Sequence, residues 1–426
     1  MDAMTVDFLF QFALILLSTK LLGIFFRKAG LPQVLGFIVA GIIIGPAIWG
    51  GLFGLSGGIF PVANNPVLSS FAEVGVIFVM FTAGLETNLK EIKETGFSAF
   101  IVALMGVLLP LAAGFCLAML FLPDGKVFTW LFVGVIMTAT SVGITVEVLR
   151  ELGQLKSKVG TIIMSAAIID DVLGIIVLSV VLSLSGEKES VSPVLSAVNP
   201  NGNAAISVIW ILAFFVFAIG VGFLISKLFK YIEKRTPHTR RIPILSIAVC
   251  LFYAFIAEKV FGVADITGAF IAGVVLSTNH KSAQYVDRKV TISSYTIFAP
   301  IFFASIGIKI TFDGFGADVI WFALAFVVVA ISTKIIGCGG AALCRKFSFK
   351  ESVKVGVGMI ARGEVALIVA EKGIAGGLLD DKYRAIVVLL VLVSSLTAPV
   401  LLKLLYKKDS ERTLPSKTEL EEGHFE

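Results

Sequence analysis

Residues Ser165–Ser179 read SAAIIDDVLGIIVLS, an apolar run interrupted by two adjacent carboxylates, Asp170 and Asp171. How this run is read decides the fold. As a helix inside a bilayer it carries charge where a single Asp costs about 2.5–3.5 kcal/mol on insertion scales, so the pair must face protein, water or an ion. The apolar stretch spans residues 158–184 with no other charge after Lys158. That length crosses a hydrocarbon core of about 30 Å as a helix. The pair then needs a functional explanation.

Composition supports the membrane reading. Hydrophobic residues make up 57% of the 426-residue chain and Asp, Glu, Lys and Arg 15%, against about 45–50% and about 25% in soluble domains. Backbone groups in lipid must be satisfied within their own segment, so an all-α polytopic membrane protein is expected. Thirteen candidate spans lie near residues 6–26, 32–50, 67–85, 97–122, 127–148, 158–184, 205–229, 242–261, 263–279, 293–309, 316–343, 353–373 and 383–406. The weakest division is between the eighth and ninth, around Gly262. A charged tail, residues 407–426, lacks the apolar content to fold and reads as disordered.

Lys and Arg concentrate in loops after odd-numbered spans, most densely in KLFKYIEKRTPHTRR. The positive-inside rule makes those loops cytoplasmic, which puts the N-terminus outside and the C-terminus inside a cell membrane. The first span has no basic n-region or small-residue cleavage site, so no removable signal peptide is expected. The net charge of +5 reflects this one-sided loop bias and calls for no nucleic-acid partner.

The chain also resembles itself. GFIVAG (Gly36–Gly41) matches GAFIAG (Gly268–Gly273), and FVMFTAGL (Phe78–Leu85) loosely matches IFFASIGI (Ile301–Ile308). Both matches link spans seven apart, so matching helices cross in opposite directions. This is the pattern of two inverted six-helix repeats joined by a linker helix, a plan found in alternating-access transporters with a site near the midplane. The expected division is spans 1–6 in residues 1–184, a linker in 185–241 and spans 8–13 in 242–406.

The fifth and twelfth spans hold equivalent places in this scheme, and both carry Gly-interrupted polar segments. MTATSVGIT (Met137–Thr145) clusters Thr138, Thr140, Ser141 and Thr145 around Gly143, and GVGMIARGEVALIVA (Gly356–Ala370) sets Arg362 and Glu364 either side of Gly363. Such segments at matching positions point to discontinuous helices at a binding site; hydroxyls and small residues also line ordinary helix interfaces. Lys334 in AISTKIIGCGG lies deep in its span and needs a carboxylate partner, for which Asp170 and Asp171 both qualify. Arg362 and Glu364 are two apart, a spacing that does not face on a regular helix, so they pair through a broken helix or find partners elsewhere.

Glu73, Glu86 and Glu147 read as interface anchors near span ends, Asp265 as part of a funnel, and Lys309 beside Asp313 as an end anchor. Cys116, Cys250, Cys338 and Cys344 lack metal or disulfide spacing and read as small hydrophobes. His238, His280 and His424 have no second ligand at a metal-binding interval. No cofactor is expected.

Taken in order, TATSVGIT, AAIIDDVLGIIVL, STKIIG and ARGEVALIVA resemble the cation/proton antiporter superfamily, and the double aspartate is most similar to the electrogenic NapA-type sodium/proton antiporters. The similarity covers essentially all spans. It implies a thirteen-span homodimer with a dimerisation domain and a mobile core domain containing two crossed discontinuous helices, near Thr140 and Arg362. It also implies Asp171 as ion carrier, helped by Thr140 and Ser141, and Asp170 paired with Lys334. The departure is Ala361, where relatives often carry proline, so the proline signal for a break in the twelfth helix is missing.

The chemistry expected on this basis is exchange, not enzymatic turnover. Sodium, or lithium, prefers carboxylate, hydroxyl and carbonyl oxygens, and a proton competes for the same carboxylate. Lys334 would supply a second exchangeable proton, making two protons per sodium and electrogenic transport. Potassium is the alternative cargo, as in glutathione-gated potassium efflux systems, although those carry a GxGxxG nucleotide-binding domain where this chain has only its tail. An intramembrane acid/base enzyme is the alternative of a different class. It would need two aspartates facing one another from different helices and would not need Lys334.

Overall fold

The computed structural model describes residues 3–49, 62, 65–86, 89–123, 125–185, 193–199, 203–235, 241–278, 280–310, 317–375, 377–380 and 382–413. Among these every regular element is a helix. The first half comprises α1 (Ala3–Lys28), α2 (Gln33–Ile44), the single turn α3 (Pro46–Trp49), α4 (Pro66–Glu86), α5 (Leu89–Phe121), α6 (Val127–Thr138), α7 (Val142–Glu151) and α8 (Lys158–Ser185). The short α9 (Pro193–Val198) and long α10 (Ala204–Arg235) connect it to α11 (Arg241–Lys259), α12 (Asp265–Ser277) and α13 (His280–Ser293). A π-helical turn, Ser294–Phe298, leads into α14 (Ala299–Ile308), followed by α15 (Ala317–Cys344), α16 (Phe349–Gly358), α17 (Glu364–Ala375) and α18 (Lys382–Thr413).

Ten segments are long and apolar enough to cross a membrane by length and composition, and α2 and α12 are shorter apolar helices. The expected fifth span falls on α6 and α7, and the expected twelfth on α16 and α17. The division between the eighth and ninth spans is real: α11 stops at Lys259 and α12 starts at Asp265. Gly262 makes that turn at φ +68°, a left-handed conformation open to glycine, and its N–H donates to the Glu258 carbonyl at 3.2 Å. At the other extreme, α18 runs on to Thr413, and residues 414–426 lie outside the described residues, as do Asp313, His238 and His424.

The self-resemblance has a packing counterpart. α2 lies against α14, and α12 against α4. Both contacts bring main chain onto main chain. A Cβ on Gly41 would strike the Ala304 carbonyl, and one on Gly273 the Phe81 carbonyl; likewise Gly307 against the Ile38 carbonyl, and Gly84 against the Phe270 carbonyl. In the GFIVAG/GAFIAG and FVMFTAGL/IFFASIGI matches, Gly41 corresponds to Gly273, Ala304 to Phe81, Gly307 to Gly84 and Ile38 to Phe270. One contact is therefore made twice with the halves exchanged. Apolar burial drives nothing between helices in lipid, so close approach over small residues is what holds such seams.

Around α5 a second cluster forms, with α6, α8 and α15 packed on it. This brings the Asp170 carboxylate of α8 and the lysine of α15 together against one face of α5.

Candidate ion-binding site

Successive residues on a helix point about 100° apart, so Asp170 and Asp171 have different surroundings. Asp170 is 2% exposed and Lys334 is fully buried; the lysine Nζ donates to Asp170 Oδ1 at 2.7 Å. Of the two candidate partners for Lys334, the structure selects Asp170. Asp171 is half-buried and lines a cavity of about 240 Å³ together with Asp170, Thr138 and Thr140.

Gly106 of α5 lets the ion pair form. A Cβ there would come 3.4 Å from both Asp170 Oδ1 and Lys334 Nζ, and 2.6 Å from the sulfur of buried Cys338. The cysteine read as a small hydrophobe thus packs beside a buried ion pair.

The Thr/Ser segment reaches the cavity because α6 ends early. Ala139 leaves the helix at φ −53°, ψ 136°, Ser141 is extended at φ −99°, ψ 103°, and α7 starts at Val142. The second break runs from Met359 to Gly363, and it forms without a proline at 361. Tertiary bonds hold the two breaks against each other: Ser141 N–H donates to the Ala361 carbonyl at 2.8 Å, and Thr145 Oγ1 to the Gly358 carbonyl at 2.7 Å. Thr140 lines the cavity, whereas Ser141 does not. Its buried Oγ has no hydrogen-bond partner among the described residues and faces Gly363, where a Cβ would lie 2.7 Å away.

Arg362 sits fully buried behind the crossing. Its guanidinium donates to the carbonyls of Met137 at 2.8 Å and Met359 at 3.2 Å, and its backbone N–H to Ser394 Oγ at 3.1 Å. Helix C-terminal carbonyls lack intrahelical donors and carry the negative end of the helix dipole. One cation therefore satisfies the C-terminal ends of both α6 and α16. Glu364 opens α17; its side chain lies outside the described residues.

A separate charged centre lies where α4 and α7 end. Arg150 Nη1 bonds Glu86 Oε1 at 2.9 Å and Nη2 bonds Thr82 Oγ1 at 3.1 Å, with the guanidinium 4.9 Å from the ring centre of Tyr295 in the π-helical turn. Next to it, Glu151 accepts from the N–H groups of Gln33 and Val34 at 2.6 and 3.1 Å, capping α2. Glu86 and Glu147 are thus not interface anchors: Glu86 is paired, and Glu147 is 5% exposed, packed inward by the turn spacing it shares with Arg150. Glu73, Asp265 and Lys309 instead line a second cavity of about 260 Å³. Lys309 stands at the end of α14, where an end anchor was expected, and it and Glu73 also border this hollow.

Two broken helices crossing behind a carboxylate pair, inside an all-helical polytopic bundle, mark a membrane protein with its site in the interior. The chain belongs to the sodium/hydrogen exchanger family: the family described as "Sodium/hydrogen exchanger, transmembrane" matches residues 13–408. It is 38% identical over 402 residues to the Na⁺/H⁺-K⁺ antiporter GerN of Bacillus cereus, covering 93% of this chain and 96% of that one. To a Na⁺/H⁺ antiporter of Enterococcus hirae it is 33% identical over 403 residues, covering 94% and 99%. The fold is similar to that of a sodium proton antiporter from Methanocaldococcus jannaschii, at TM-score 0.74 and 17% identity over 98% of this chain and 100% of that one.

Proposed function

We propose that this chain exchanges sodium for protons across the cell membrane by alternating access. The observation that carries the reading is the division of roles within one carboxylate pair: Asp170 is committed to Lys334 at 2.7 Å, while Asp171 lines the cavity beside Thr140. A hard cation entering that cavity meets carboxylate and hydroxyl oxygens, the donors it prefers, and a proton competes for the same carboxylate. An empty buried anion is costly, so Asp171 must carry one or the other before the site changes sides. Lithium suits the same donors. Sodium at Asp171 would weaken the hold of Asp170 on Lys334, release a second proton and make exchange electrogenic. Ser141 belongs to the shell behind the ligands, and Arg362 holds the crossing together.

The reciprocal glycine seams support two inverted repeats, with thirteen spans, a core built on the crossing and a scaffold that dimerises. The Lys/Arg distribution supports an outside N-terminus and a cytoplasmic C-terminus. Ser192 and Thr236 lie outside the described residues, but cysteines placed there test the orientation: an impermeant reagent on intact cells should label the first and not the second. Potassium exchange is the second reading, favoured by relatives whose names include potassium, GerN and the K⁺/H⁺ antiporter 1 of Saccharomyces cerevisiae. Adjacent carboxylates diverging on one helix argue against an acid/base enzyme.

Purified protein in liposomes containing a pH dye tests the proposal, with sodium, lithium and potassium added in turn. Asp171→Asn should abolish cation-driven proton movement and leave the protein folded. Exchange at a near wild-type rate in this variant would refute Asp171 as carrier.

A further inference from the structure

The cavity that holds Asp171 does not stand alone. A second cavity, of about 260 Å³, adjoins it and is lined by Glu73, Asp265 and Lys309. Four residues line both: Glu258, Ala264, Val365 and Ile368. Three are apolar, and Glu258 is the one charged side chain at the junction. An ion moving between the two hollows passes it.

Glu258 is held in place by its backbone and left loose at its carboxylate. Its carbonyl accepts from Gly262 N–H at 3.2 Å, and Val263 N–H donates to the Ala257 carbonyl at 2.8 Å. Trp210 Nε1 donates to the Val260 carbonyl at 2.8 Å, which fixes the turn to α10. The carboxylate lies 3.8 Å from Lys259 with both side chains about half exposed, at 52% and 54%. Such an exposed pair contributes little and leaves the charge available to a passing cation. A low-dielectric neck bearing one sign of charge focuses the field and raises local counter-ion concentration, with effects of about 10- to 1,000-fold that fall with ionic strength.

We propose that Glu258 sets the apparent cation affinity of exchange from one face of the membrane only, by drawing monovalent cations from the outer hollow through the junction to Asp171. This rests on the reading of Asp171 as carrier. The face is the one where α11 turns into α12, the outer face in the orientation proposed above. Sodium and protons feel the same carboxylate, so removing it weakens both competitors together. The final gradient reached by exchange is then unchanged, and only the concentrations at half saturation move.

The test uses the full chain in right-side-out and everted vesicles from a host lacking its own antiporters, with sodium added outside and proton movement followed by dye. Glu258→Gln should raise the half-maximal sodium concentration about tenfold in right-side-out vesicles and leave it within twofold in everted ones, with maximal rates within twofold on both. The rise should shrink in about 150 mM choline chloride, because salt screens the carboxylate, and Glu258→Asp should restore most of the affinity. An unchanged half-maximal concentration from the outer face overturns the proposal; so does an equal rise from both faces, which marks general damage. Absence of sodium-driven proton movement in the wild-type protein would defeat the exchange reading itself, a result distinguishable from either.

Discussion

Two ion pairs inside the bundle use the same kinds of groups in opposite ways. Lys334–Asp170, at 2.7 Å, has side chains 0% and 1% exposed; Arg150–Glu86, at 2.9 Å, has 15% and 17%. The first has a rival: Asp171, one residue along, opens on the cavity. The second has helpers, the Thr82 hydroxyl and the Tyr295 ring. A dry pair beside a wet carboxylate is placed to change partners. A pair braced on three elements is placed to hold α7 against α4. The Arg150–Glu86 centre also lies far from the outer hollow: Glu73, which lines that hollow, and Glu86 are separated by about 20 Å along α4 at the helical rise of about 1.5 Å per residue.

The largest expected effect comes from removing the lysine. Lys334→Gln leaves Asp170 buried without its cation, and losing one partner of such a pair costs about 3–5 kcal/mol. Thermal unfolding in lipid should show that loss, and the double variant Asp170→Asn/Lys334→Gln should recover most of it. In liposomes with an imposed potassium/valinomycin potential, Lys334→Gln should exchange with less voltage stimulation than wild type; equal stimulation would leave the lysine a purely structural partner.

Steric pressure on the same pair ranks next. Gly106→Ala inserts a methyl group between α5 and the pair, an overpacking worth about 1–3 kcal/mol. Adding Cys338→Ala should relieve it, because the sulfur is the nearest atom. If the second change gives no relief, the three groups do not share one space.

Arg150→Gln should cost about 1 kcal/mol, less than the lysine variant because the pair is partly exposed and the Glu86 carboxylate can turn to water. The half-maximal sodium concentration should stay within twofold of wild type, since the Asp171 cavity is untouched. A tenfold change would erase the distinction between the two centres.

Ser348→Ala is the smallest. Ser348 and Glu351 form a reciprocal capping box at the start of α16, and losing the cap costs about 0.5–1 kcal/mol. Bonding to the Ser348 backbone N–H holds the Glu351 carboxyl below its usual value of 4.5. The contribution of its charge is therefore complete above about that value and lost as pH falls through the lower folded value. Glu351→Gln isolates that charge: its stability difference from wild type in urea unfolding should be full at pH 7 and reduced near pH 3, whereas Ser348→Ala keeps the backbone N–H and its difference should change less with pH.

Much of this was legible in the sequence. Spans show as runs of membrane length, and the turn at Gly262 announced itself through one glycine. The Asp170, Asp171 and Lys334 set stood out because charge in an apolar run is expensive. Which aspartate takes the lysine was not legible from the residues alone, since either could reach it. The partners of Arg362 were hidden for another reason: they are carbonyls, and main-chain acceptors leave no signature in residue identity. Glu86 and Glu147 passed for anchors because a charge near a span end reads the same whether it turns to lipid headgroups or into the bundle. Glu258 is legible only once two hollows are seen to meet.

The paired glycine seams bear on how the chain is made. α2 is synthesised early, yet the surface its Gly41 fits, the Ala304 carbonyl of α14, is synthesised most of a chain length later; Gly84 of α4 likewise waits for α12. Helices in bilayers insert first and associate afterwards, so the first half must reside in the membrane with its seams open until the second half arrives. Neither half produced alone can close them. Co-expressed as two polypeptides divided in the 185–203 connection, the halves should reassemble, and a leucine at Gly41 or Gly273 should halt biogenesis at that late docking step while each half still inserts.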